Sequence, residues 1–149
     1  MKHLFIINPA AGSSDHTAAY SADIRTACEA RRLDYEIRVS MGPGDCANIA
    51  REAAQTGQEL RIYACGGDGT LNEVVTGAVG FPNAAVTVFA GGSGNDFIRM
   101  FDNPEAFTDL NQLLDAREEQ LDLIRVNDDY AFNICSVGLD ARIGTDVSG

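Results

Sequence analysis

Leu60-Arg61-Ile62-Tyr63-Ala64-Cys65-Gly66-Gly67-Asp68-Gly69-Thr70-Leu71-Asn72-Glu73-Val74-Val75 is the stretch on which the fold turns. Leu60 to Ala64 reads as a buried strand, which stops at Gly66-Gly67-Asp68-Gly69. A helical pattern then begins at Thr70. A glycine turn between strand and helix leaves backbone N–H groups uncovered by side chains. The helix N-terminus adds partial positive charge at the same place, so the segment suits the phosphates of a nucleotide.

The flanking sequence repeats the alternation. His3 to Asn8 is an apolar run ending at Pro9 and Gly12, and Ser13, Ser14 and Asp15 offer caps for a following helix. Tyr20, Ile24, Ala27 and Cys28 share one face of that helix. Leu33 to Ser40 alternates as a strand with one open face, and Gly42-Pro43-Gly44-Asp45 turns into a helix with Cys46, Ile49, Ala50 and Ala53 inward. Leu71, Val74, Val75 and Ala78 mark the helix after Thr70, closed near Gly80. Ala85 to Ala90 is a fourth strand, entering a second glycine turn at Gly91 to Asp96. Short helices are expected at Phe97 to Met100 and Phe107 to Leu114.

This order predicts an α/β fold: a three-layer α/β/α arrangement around a mostly parallel sheet. From Leu121 two β-rich runs joined at Asn127-Asp128-Asp129 break the alternation. We therefore expect an α/β domain over 1–120, and over 121–149 the start of a β-rich second domain. The ending at Gly149 soon after this switch suggests a fragment, and Tyr130 to Val137 is expected to leave an unpaired edge open to a partner, including a second copy.

Composition narrows the function. The 149 residues are 45% hydrophobic, as in a globular chain, and no apolar run reaches the roughly 18 residues that span a bilayer. A net charge of −11 disfavours nucleic acid and tight docking on anionic lipid, while leaving brief contact with neutral lipid open. Lys2 is the sole lysine, which excludes a lysine-based phosphate loop; arginines, N–H groups and a divalent cation must meet phosphate charge instead. Cys28, Cys46, Cys65 and Cys135 lack C-x-x-C spacing and read as reduced, apolar cysteines of a cytoplasmic protein.

Ligands of parallel α/β sheets bind at the carboxyl ends of the strands, where both glycine turns fall. The first turn contributes Gly66, Gly67, Asp68, Gly69, Thr70, Leu71, Asn72 and Glu73; the second contributes Gly92, Ser93, Gly94 and Asn95. Asp68 can hold Mg²⁺ or accept the proton of an attacking hydroxyl. Thr70 and Glu73 also have the spacing of a capping box. Asn8, after the first strand, and Ser40, after the second, reach the same sheet edge.

Asn8-Pro9-Ala10-Ala11-Gly12, Ser40 with Gly42-Pro43-Gly44-Asp45, GGDGTLNEV, GGSGNDF and Cys135 to Ala141 follow the order of motifs in diacylglycerol kinases. The chain resembles the N-terminal nucleotide-binding domain of that family and its bacterial lipid-kinase members, with sphingosine and ceramide kinases as more distant relatives. GGDG-T alone also suits NAD kinases. The continuation through Asn72-Glu73 and the Gly94 to Phe97 turn favours the lipid branch.

The resemblance implies ATP binding by Asn8, Ser40, Gly66 through Asn72, and Ser93, with Mg²⁺ at Asp68. Asp140 is similar to the acid that contacts the lipid head group, and Asp96 is placed with it on the substrate side. Asp122 also matches a family acid and is read as structural. Ser40 and Ser93 stand where relatives usually have Thr, and Ala90 where they have Pro. Family members continue into a β domain that walls the lipid cleft and carries an acidic motif implicated in catalysis. The expected activity is phosphoryl transfer from ATP to a neutral lipid such as diacylglycerol, by a cytoplasmic or peripheral membrane enzyme. A kinase of a soluble hydroxyl substrate and a non-catalytic ATP-binding fragment are the alternatives.

Overall fold

The computed structural model describes residues 1–9, 16–89, 108–115, 117–124 and 129–136. β1 (Lys2–Ile7), α1 (Thr17–Ala30), β2 (Tyr35–Val39), α2 (Asp45–Gln55), β3 (Leu60–Cys65), α3 (Asp68–Ala78) and β4 (Ala84–Phe89) alternate as expected. α4 (Leu110–Leu114), β5 (Arg117–Ile124) and β6 (Asp129–Ser136) follow. The sheet order is β2-β1-β3-β4-β6-β5, parallel throughout except for the antiparallel β5–β6 pair.

Strand register explains the two layers of core. Phe5 lies opposite Tyr63, and Tyr63 opposite Thr87, so these side chains share one sheet face. Phe5 stacks on Tyr63 with centroids 4.2 Å apart, and Tyr20 of α1 meets Phe89 edge-on at 5.3 Å. Arg61 on this face donates to the Leu113 and Leu114 carbonyls of α4. On the opposite face Leu4, Ile6, Ile62, Ala64, Val86 and Val88 are buried. Right-handed crossovers send α1 to one side of the sheet and α2 and α3 to the other.

Several boundaries differ from expectation. α3 begins at Asp68, with Gly67 as its N-cap, two residues before Thr70. α1 has His16 at its N-cap with no side-chain cap bond, and Ser13 to Asp15 lie outside the described residues. α2 buries Ala54 fully where Ala53 was expected, because the helix phase turns Ala53 toward the rim. The helix expected from Phe107 is the shorter α4, its Asp109 carboxylate accepting from the Asn111 N–H at 3.1 Å. The hairpin extends the same sheet: β6 pairs with both β4 and β5, and the expected boundary at 120/121 falls inside β5. Tyr130 to Ser136 is thus interior to the sheet, whose edges among the described residues are β2 and β5.

Candidate nucleotide-binding site

β1 runs between β2 and β3, and its crossover through α1 leads one way while the crossover of β3 through α3 leads the other. That reversal opens a crevice beyond the carboxyl ends of β1 and β3, the position at which doubly wound sheets bind ligands. Asn8 leaves β1 there and Gly66 leaves β3 there. Asn8 Nδ2 donates to Thr70 Oγ1 across the crevice, a long contact of 3.5 Å joining residues far apart in sequence. Thr70 is buried, whereas Asn72 is exposed and Leu71 packs into the core.

The GGDG turn has the form of an anion cradle. A Cβ built on Gly67 or Gly69 meets nothing within 4 Å, so the backbone faces open space. Gly67, the N-cap of α3, has no side chain and makes no side-chain cap bond, as suits a helix start whose N–H groups meet a ligand. A phosphate fits a helix start of this kind, and Asp68 is the first residue of α3.

β2 brings in Ser40, whose N–H donates to the Ile7 carbonyl at 2.9 Å. Ser40 is 6% exposed and its side chain hydrogen-bonds Cys46. Burial pushes the Cys46 and Cys65 thiols up, opposed at Cys46 by the Ser40 hydrogen bond, so both stay protonated. They are packing residues here, as their spacing suggested.

The capping box is not formed. Thr70 lies inside α3 with its hydroxyl toward Asn8, and Glu73 reaches away from its own helix start. Glu73 Oε1 accepts the Gly44 N–H at 3.0 Å, at the beginning of α2. Asp45 Oδ2 meanwhile accepts the Met41 N–H at 2.8 Å, closing the 41–45 turn on itself. These two links between backbone amides and acids were invisible in the sequence, although Gly42-Pro43-Gly44-Asp45 had marked the turn.

β4 ends at Phe89, the register partner of Cys65, so the chain leaves the sheet beside the GGDG turn. Gly92, Ser93, Gly94, Asn95, Asp96 and Asp140 themselves lie outside the described residues. Among the described residues no cluster of three His, Cys, Asp or Glu side chains is placed to hold a metal ion. No helix among them is long and apolar enough to cross a membrane.

A mostly parallel sheet with a glycine-rich strand-to-helix turn at its switch point defines the class of doubly wound α/β domains, and comparison narrows it to a family. The diacylglycerol kinase catalytic-domain profile matches residues 2–126. The chain belongs to that family. It is 35% identical over 111 residues to a YegS-like lipid kinase of Chromohalobacter salexigens, covering 72% of this chain and 35% of that one. Identity is 32% over 136 residues to a YegS-like lipid kinase of Yersinia enterocolitica, covering 86% and 46%. A crystal structure of a diacylglycerol kinase from Bacillus anthracis strain Sterne superposes with a TM-score of 0.63 at 24% identity, over 87% of this chain and 44% of that one. The chain spans less than half the length of these relatives.

Proposed function

We propose that this chain is the nucleotide-binding portion of an ATP-dependent lipid kinase acting on the hydroxyl of a neutral lipid such as diacylglycerol. The observation that carries the reading is the meeting of Asn8, after β1, with Thr70, in the GGDGT segment after β3, at the switch point of the sheet. Backbone N–H groups from Gly66 to Thr70 bind the phosphates, and the second turn, Gly92 to Asn95, adds donors from the end of β4. Asp68 would hold Mg²⁺ together with the phosphates, an arrangement magnesium favours over an all-protein cage. Bound there, Mg²⁺ would supply neutralisation of the phosphate charge.

In the reaction the lipid oxygen attacks the γ-phosphorus as the bond to the β,γ-bridging oxygen breaks. ADP departs and the hydroxyl proton passes to a carboxylate. Such a transfer needs positioning and charge neutralisation more than covalent participation by the protein. Asp96 and Asp140 are assigned to the lipid side, and the enzyme meets its substrate at a membrane surface from the cytoplasm.

Labelled ATP offered with detergent-dispersed diacylglycerol, with NAD and with a sugar phosphate tests the reading. Transfer to the lipid alone is expected, and Asp68→Asn is expected to lower turnover or weaken its Mg²⁺ dependence. Transfer to NAD and not to lipid would replace this reading with a soluble-substrate kinase. Binding of ATP with no transfer to any acceptor would make the chain a binding module.

A further inference from the structure

We infer that Glu73 is a positioning residue that sets the width of the nucleotide crevice by capping a helix other than its own; this rests on the proposed nucleotide site. The N-cap of α2 is Gly44, whose φ of +84° suits glycine and which has no side chain to cap the helix. The acid in the first turn, Asp45, is turned back to the Met41 N–H. The N–H of Gly44 instead donates to Glu73 Oε1 at 3.0 Å, from the second turn of α3.

One helical turn further along, Gly77 of α3 lies against the backbone of Ala47 in α2. The two contacts advance in the same direction along both helices, so they form one parallel seam. Absence of a side chain at Gly77 lets the helices approach closely enough for the Glu73 carboxylate to reach Gly44. The seam runs to the carboxyl edge of the sheet, with the Ser40–Cys46 contact at one side and Thr70 with Asn8 at the other. Glu73 thereby fixes the turn after β2 relative to the turn after β3. Its role is to hold two walls of the site at one spacing, with no contact to the nucleotide itself.

The test is calorimetric titration of the 149-residue chain and its variants with MgADP, beside thermal melting of each. Glu73→Ala is expected to weaken binding about tenfold, the scale of one lost charge-assisted hydrogen bond. Glu73→Gln keeps an acceptor oxygen and is expected to stay within about threefold of wild type. Glu73→Asp, a carboxylate too short for Gly44, serves as the second loss variant should Glu73→Ala not fold. Affinity equal to wild type in a folded loss variant, or equal losses in Glu73→Gln and Glu73→Ala, would overturn the positioning role while leaving the nucleotide site standing. No heat with wild type would overturn the site and this inference together.

Discussion

Gly77 of α3 packs so tightly on Ala47 of α2 that a methyl group at position 77 would overlap the Ala47 carbonyl. An added Cβ would lie 2.9 Å from the carbonyl carbon and closer still to its oxygen. Neither atom is the end of a flexible side chain, so the helices themselves must part. Gly77→Ala is therefore expected to destabilise the domain by about 1–3 kcal/mol, despite the better helix propensity of alanine. Urea denaturation reads the change, and an unchanged or raised midpoint would contradict the close approach. Parting the helices should also stretch the Glu73–Gly44 bond and weaken nucleotide binding.

His3 makes stability depend on pH. It is buried at the amino end of β1, with Nδ1 2.8 Å from the Tyr63 hydroxyl. Burial first, then the Arg61 guanidinium and the N-terminus, lower its pKa to about 4, with Asp34 opposing. The folded protein thus prefers neutral His3, whereas the unfolded chain takes up a proton near 6.5. Between those values the unfolded state binds more protons, so stability falls as pH drops from about 6.5 toward 4 and rises with pH over the same window. The contribution is at most about 3 kcal/mol. Comparing unfolding of wild type and His3→Gln at pH 7 and pH 4.5 should show the smaller decline in the variant; parallel declines would rule His3 out as the source.

Arg61→Met probes the same cluster from the other side. Arg61 is 6% exposed and donates to the carbonyls of Leu113 and Leu114 at 3.5 and 3.4 Å, the C-terminal end of α4. Its loss leaves those carbonyls short of a cationic donor and should cost about 1–3 kcal/mol. It also removes the second cause depressing His3, so the His3 titration seen by NMR should move upward. A His3 titration left in place by Arg61→Met would contradict the coupling.

Asn8 and Thr70 should act as a unit in binding. Thr70→Val keeps the buried shape but removes the hydroxyl that accepts from Asn8, and Asn8→Ala removes the donor. Each is expected to weaken MgADP binding by roughly threefold to tenfold. The double variant should lose less than the product of the singles, because both remove one shared contact. Independent, multiplicative losses in a double-mutant cycle would show that the two residues serve different ligands.

Much of the layer pattern was legible because periodicity reports burial directly. β1, β3 and β4 are near-continuous apolar runs, and a strand covered on both faces requires this; α1 and α3 show their buried stripes at helical spacing. Less legible were the ends of elements. Asp68 looked like part of the turn because GGDG carries no helical periodicity, yet one extended glycine, Gly67, suffices as the N-cap. The Thr70–Glu73 spacing fits a capping box only when Thr70 is the cap, so moving the cap three residues back to Gly67 released both side chains for contacts elsewhere.

Sequence by itself determined the alternation of strand and helix and the glycine cradle after β3, since these depend on local backbone freedom and on which side chains avoid water. Strand order was decided only by tertiary structure, because the right-handed crossovers can place each new strand on either side of β1. So were the place of Asn8 beside Thr70, the hairpin's entry into the main sheet, and the bond from Glu73 to Gly44. All of these join residues distant along the chain, and such pairings form only when helices and sheet pack at one particular spacing.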